Sequence, residues 1–376
     1  MKITFSLFVF VLGMLGAMAQ INGAATKFAL PSGLNESSGA IFFNNRLITH
    51  NDSGGETKLY ELDTISGIIQ REVTISNATN VDWEDLAQDE NSIYIGDIGN
   101  NNGNRTDLKI YKINKTDYLS STSVAAETIA FSYANQVDFT SNTNNTEWDA
   151  EALVCFDNSN LMLFSKNWVN GTTLAYLVSK TPGNYALNPL ATSLNSGGLI
   201  SGGSFNPYTG KLYLVGYTQA LQPFVWVSEN YNSNDIFSGT NTQTILSVFG
   251  MEQAEAITYV NANRYFMTSE SFSQSFGGLT FSDNAKVMAF NTNDATLSSN
   301  MGFIEHKNIM YPNPVDTYLN MQHPNIDFIE ICDIKSVQVY KGDDEVVDMS
   351  AFSKGVYVVK INFKDQTSRL EKLVKK

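Results

Sequence analysis

Three short acidic-apolar phrases each carry a glutamate: Trp83-Glu84-Asp85-Leu86-Ala87, Asp149-Ala150-Glu151-Ala152-Leu153 and Gln253-Ala254-Glu255-Ala256-Ile257. A weaker copy, Asn35-Glu36-Ser37-Ser38-Gly39-Ala40-Ile41, precedes them. A degenerate one, Leu199-Ile200-Ser201-Gly202-Gly203-Ser204, stands between the last two. Carboxylates brought together raise one another's pKa unless a cation neutralises them. Calcium takes carboxylate, amide, carbonyl and water oxygens together. Glu36, Glu84, Glu151 and Glu255 are therefore candidate ligands of a Ca2+ ion. The same glutamates could instead cap backbone N–H groups and join neighbouring repeats without any metal.

Proton chemistry has two candidates. His50, in Thr49-His50-Asn51-Asp52, is the one histidine in the expected propeller region, residues 20–293, and could act as general acid or base beside Asp52. Asp97 is the second. The ordinary alternative for His50 is a solvated loop residue. The loop Asp97-Ile98-Gly99-Asn100-Asn101-Asn102-Gly103-Asn104-Arg105 is rich in turn formers. It fails the EF-hand spacing because Asn102 stands where a glycine is needed, so it reads as a surface turn. Arg105 and Lys166 could hold an anionic group, or be plain surface charges. The four tryptophans are too scattered to form a sugar platform and suit packing between repeats.

These residues need elements that bring them together. Glu36, Glu84, Glu151, Ser201 and Glu255 stand 48, 67, 50 and 54 residues apart, the scale of one four-stranded propeller blade. Each phrase is followed by a second apolar strand that stops at a polar residue: Asp52, Asp97, Lys166, Tyr217 or Glu270. In an antiparallel pair the start of the first strand and the end of the second share one face. The acidic phrases should therefore gather at one mouth of a central channel. The fifth unit lacks a fourth strand, and Ala25–Leu30 is free to fill that place and close the ring, removing exposed edges. Five blades are expected, or six if two degenerate units have merged.

Composition agrees. Of 376 residues only 16% are charged while 12% are aromatic, which suits many short strands and tight turns. Acidic residues outnumber basic ones 38 to 24, for a formal charge of -14, with no basic cluster of the kind nucleic acid needs. Residues 1–19 read as a signal peptide, with Lys2, the apolar run Ile3–Leu15 and the small-residue box Ala17-Met18-Ala19. No other stretch reaches membrane-spanning length. Cys155 and Cys332 fall in different expected domains, so no disulfide is expected and Cys155 reads as a small buried hydrophobe. GxSxG, HExxH, P-loop and dinucleotide motifs are absent, which disfavours the familiar hydrolases, peptidases and nucleotide enzymes that carry them.

The expected organisation is a signal peptide at 1–19, an all-β propeller at 20–293, a linker at 294–307 and a small β-sandwich at 308–376. The last segment opens on Tyr311-Pro312-Asn313-Pro314. It continues with Ile329–Asp333, Val347-Asp348-Met349-Ser350 and Ser353-Lys354-Gly355-Val356-Tyr357-Val358-Val359-Lys360-Ile361, and it ends on a basic tail. It resembles the type A C-terminal sorting domain of the type IX secretion system, although Lys335-Ser336 stand where that family usually has a glycine. The resemblance implies an Ig-like sandwich read by the type IX machinery, and a mature protein secreted or anchored at the cell surface. The phrases Asn51-Asp52-Ser53-Gly54, Asp82–Ala87, Gly96–Asn101, Asp149–Leu153 and Ala254–Glu270 resemble a widespread secreted bacterial propeller family. That family is distantly similar to phytase-like esterase and SdiA-regulated propellers. Two functions follow as expectations. One is a binding or metal-stabilised module for an unknown extracellular ligand. The alternative is a calcium-dependent phosphoester or ester hydrolase with His50 or Asp97 moving protons.

Overall fold

The computed structural model describes residues 21–297, 310–321, 326–335, 337–364 and 368–376. The expected signal peptide and most of the expected linker lie outside the described residues. The chain divides into two compact units, Met1–Thr296 and Leu297–Lys376.

The first unit is a ring of five antiparallel sheets whose inner strands are Ser37–Phe43, Trp83–Gln88, Ala150–Cys155, Leu199–Asn206 and Ala254–Tyr259. Each inner strand packs beside the next and the fifth packs beside the first, so the fold is a five-bladed β-propeller. The second strands are buried on both faces and therefore read as continuous apolar runs. In blade three, Leu161 and Leu163 enter the core shared with blade two, while Met162 and Phe164 enter the core shared with blade four. Alternation along one strand thus serves two interfaces.

Asn22–Ala29 pairs antiparallel with Lys286–Asn291 and forms the outer strand of blade five. This joins the first and last parts of the propeller sequence in one sheet. Two further strands were not legible in the apolar pattern. Ser123–Val124 adds in parallel to the edge of blade one, and Gly183–Leu187 adds in parallel to the edge of blade two. The second of these comes from the loop of blade three and straps two neighbouring blades together. Asp294, the first residue of the expected linker, is held in the propeller by Lys211 at 2.6 Å.

Blade four explains why its repeat phrase is degenerate. A Cβ on Gly202 would collide with the backbone carbonyl of Glu255 in the neighbouring inner strand. Glycine is needed there for close approach of two backbones.

The second unit has one sheet of Met310–Tyr311, Tyr318–Met321 and Val346–Asp348. Its other sheet is Gln338–Gly342, Ile326–Asp333, Gly355–Phe363 and Ser368–Lys375. Between them lies a core that includes Val315, Leu319, Ile329, Ile331, Met349, Val359, Ile361 and Leu373. Both cysteines are free.

Candidate functional site

All five inner strands carry a β-bulge near their start, where the register to the second strand shifts. The shifts lie between Ser37 and Ala40, Trp83 and Leu86, Ala150 and Ala152, Ile200 and Gly202, and Ala254 and Ala256. A bulge inserts unpaired residues and re-aims their side chains. The equivalent positions are thus Ser38, Glu84, Glu151, Ser201 and Glu255. Glu36 lies two residues before this ring and is exposed. Ser38 takes its place, donating from its hydroxyl to the Glu84 carbonyl at 2.6 Å and to Glu84 Oε2 at 3.3 Å.

Glu84, Glu151 and Glu255 line a cavity of about 250 Å³ together with Asp52, Asn101, Asn144, Lys166, Trp168, Tyr217, Gln253 and Glu270. Four of the five strand-end residues expected at the mouth therefore line it: Asp52, Lys166, Tyr217 and Glu270. Asp97 does not. It is fully buried, accepts the Asp82 amide at 3.1 Å and is ion-paired to Arg105 at 2.8 Å. Arg105 also donates to the Gly99 carbonyl at 2.7 Å, so the asparagine-rich loop is tied down by a buried ion pair.

His50 is fully buried. Its Nδ1 is 2.9 Å from the Asn51 carbonyl, and its ring packs edge-on to Trp83 with centroids 5.5 Å apart. Burial pulls its pKa down to about 4, so it is a neutral packing residue at physiological pH with no opening to the cavity.

On the side of blades one and two, carboxylate oxygens of Asp52, Asp82 and Glu84 all lie within 4.8 Å of one another. Asp82 and Glu84 crowd against the backbone of Gly99, where a Cβ would strike both. Asp52 Oδ1 is buried and has no hydrogen-bond partner. Burial first, and then neighbouring charge, raises these acids. Asp52 is pushed up to about 6, Asp82 to about 7 and Glu84 well above the ordinary carboxylate range. On the other side Glu270 is pushed up to about 8, and Glu255 also rises, again mainly by burial.

Lys166 is the one ammonium lining the cavity. Its Nζ meets both oxygens of Glu151 at 2.5 Å and stands 4.9 Å from the Trp168 ring centre and 5.7 Å from that of Tyr217. Trp168 in turn donates from its indole N–H to Asp149 at 2.7 Å. Gln253 donates to Glu270 at 2.8 Å and to Glu255 at 3.3 Å.

Below the bulges sits a carboxylate that the sequence reading passed over. Asp85 is fully buried and accepts backbone N–H groups from three inner strands: Leu86 at 2.8 Å, Leu153 at 2.9 Å and Gly203 at 3.1 Å. The backbone-capping, blade-joining role expected as an alternative for the glutamates belongs to this aspartate. Asp82, Glu84 and Asp85 share one phrase, yet Glu84 lines the cavity, Asp85 meets three inner strands and Asp82 meets Asp52 and Glu84.

Residues 309–376 match the family described as the Secretion system C-terminal sorting domain. This segment is a type IX sorting domain. The sorting domain commits the protein to handling by that secretion machinery, to export and to cell-surface attachment. No described helix is long and apolar enough to cross a membrane. No curated protein is significantly similar to the chain in sequence. Among solved structures, the chain is similar to the PQQ-bound aldose sugar dehydrogenase of Streptomyces coelicolor at 9% identity and a TM-score of 0.41, over 73% of this chain and 98% of that one. It is similar to a GH43_1 enzyme of Xanthomonas citri at 11% identity and a TM-score of 0.40, over 74% and 96%. YCF48 of Cyanidioschyzon merolae gives 11% identity and a TM-score of 0.33, over 71% and 98%. Likenesses this weak carry no inference about the site or its ligand.

Proposed function

We propose that this secreted, surface-attached propeller is a binding module whose acidic mouth holds a divalent cation, with calcium the best match. The observation that carries the reading is the convergence of Asp52, Asp82 and Glu84, with one oxygen from each within 4.8 Å of the others. That spacing suits oxygens grouped around one hard cation, which takes carboxylate, amide and water oxygens at about 2.3–2.6 Å. The carboxamides of Asn101 and Asn144, which line the same cavity as Asp52 and Glu84, are further oxygen donors. Glu151 and Glu255 are less suited as ligands, because Lys166 already engages both oxygens of Glu151 and Gln253 engages Glu255.

The hydrolytic alternative has less support. His50 is buried and neutral, and Asp97 is locked by Arg105, so neither expected proton carrier reaches the cavity.

The test is thermal unfolding of the full chain after chelation, with and without added calcium. A cation at 100 times its dissociation constant adds about 2.7 kcal/mol to the folded state. The midpoint should rise clearly in the parent, and not in the Asp82→Asn/Glu84→Gln double variant. No rise in the parent would leave these acids as hydrogen-bonded carboxyl groups and remove the cation.

A further inference from the structure

The cavity is not uniformly acidic, and its second half has a different chemistry from the carboxylate triad. Besides Asp52 and Glu84 the lining includes two aromatic rings, Trp168 and Tyr217, and the carboxamides of Gln253, Asn101 and Asn144. Aromatic faces combined with carboxamides and carboxyl groups match ligands that present C–H faces and many hydroxyls.

Charge narrows the class. An anionic ligand would need a net positive group, but among the described residues the one lining ammonium, Lys166, is already held by both oxygens of Glu151. The proposed divalent cation would be outnumbered by the three carboxylates around it. A cationic ligand would need ionised partners. Glu255 and Glu270 instead share the Gln253 carboxamide, and both are shifted toward the protonated form, in which a carboxyl both donates and accepts. Such groups pair with neutral hydroxyls.

Depth narrows it again. Directly below the bulge residues, Asp85 gathers backbone N–H groups of Leu86, Leu153 and Gly203 on the axis. Beneath it the channel tightens to an apolar space of about 20 Å³ lined by residues such as Ala40, Leu86, Leu153 and Ile257. The cavity is therefore closed below, so a chain cannot thread through the axis and its end is the part able to reach the floor.

We infer that the propeller mouth binds a neutral saccharide, received as the terminal residue of a chain, with Trp168 and Tyr217 as its aromatic wall and Gln253 as a hydroxyl partner. The cation proposed above would sit beside it, so the inference rests on that reading for calcium dependence but not for ligand class.

The experiment is isothermal titration of the full chain in calcium buffer. The probes are xylose, glucose, galactose and mannose, their linear oligomers and one long polymer, with glucosamine and glucuronate as charged comparators. At least one neutral sugar should bind. Affinity counted per chain end should be the same for oligomer and polymer, whereas preference for the polymer's interior would overturn end-on entry. Trp168→Ala and Gln253→Ala should each weaken binding by about tenfold or more, a loss of roughly 1.4 kcal/mol, with the calcium response unchanged. If Trp168→Ala does not fold, Gln253→Ala decides alone. Binding of no neutral sugar, binding of only a charged comparator, or unaltered affinity in the folded variants would overturn the inference. Sugar binding that persists after chelation would remove the cation and keep the ligand class, whereas a calcium response without sugar binding would do the reverse.

Discussion

The two ends of the propeller axis are built from the same five strands and have opposite chemistry. At the mouth the inner strands contribute Glu84, Glu151 and Glu255 to a cavity of about 250 Å³. A few residues further along, the same strands contribute Ala40, Ile41, Leu86, Ala87, Leu153, Val154 and Ile257 to an apolar space of about 20 Å³. The difference lies in the bulges. Regular strands would turn alternate side chains to the axis and close it with apolar groups, as happens below. The bulge breaks that alternation and re-aims a polar residue into the opening. Asp85 stands at the junction and ties the backbones of three inner strands into one fixed floor.

The largest expected effect comes from removing that junction. Asp85→Ala leaves at least three buried N–H groups without an acceptor, at about 1–3 kcal/mol each, so the propeller should lose most of its stability in urea unfolding. An Asp85→Ala protein of parental stability would show that the two ends are not held by a common floor.

Next in size is the Lys166–Glu151 pair. Lys166→Met strands a buried carboxylate and should cost about 3–5 kcal/mol, while Lys166→Met/Glu151→Gln should recover most of it. Urea midpoints of the parent, single and double variants measure this. Equal loss in the single and double variants would mean that Lys166 acts through packing on Trp168 and Tyr217 rather than through charge.

The pH dependence should be of middling size and should separate the two ends. Asp52, Asp82 and Glu270 have raised pKa values in the fold, about 6, 7 and 8. The folded state therefore binds more protons than the unfolded chain between the unfolded value of about 4 and these values. Stability is full below that window and is lost as pH rises through it. Calcium favours the ionised forms and should flatten the loss. Unfolding midpoints between pH 4.5 and 8.5, with chelator and with calcium, measure both slopes. A rise of stability with pH in chelator would contradict the raised values.

The smallest effect belongs to the apolar end. Burial pushes the Cys155 thiol up to about 12, so at pH 8 it should resist alkylation in the folded chain and react once the chain is unfolded, as mass spectrometry of the labelled peptides would show.

Much of this organisation was legible in sequence. The repeat of the glutamate phrase and the polar ends of the second strands are local patterns with a fixed period, and they put Asp52, Glu84, Glu151, Lys166, Tyr217, Glu255 and Glu270 on one face. Register was the part that failed to show. Glu36 reads as the first repeat's acid, yet a two-residue offset leaves it exposed and brings Ser38 to the ring. Asp97 and His50 lie at strand ends like Asp52 and Lys166, but packing against Arg105 and Trp83 takes them out of the cavity. Asp82 and Asp85 sit in the same phrase as Glu84 and carried no separate signal.

By itself, then, the sequence determined an all-β chain of five or six repeats, the closing role of the N-terminal strand, and a sorting segment with its own alternating pattern. The repeats follow from short-range periodicity, and the sorting segment from the resemblance that its motifs carry. Only the tertiary structure decided which carboxylates meet, which are paired and which face open space. Those outcomes depend on bulges and on contacts between blades far apart in sequence, as between Asp85 and Gly203, 118 residues apart, and Phe42 and Thr258, 216 residues apart. No local pattern encodes a distance of that kind, because it exists only once the ring has closed.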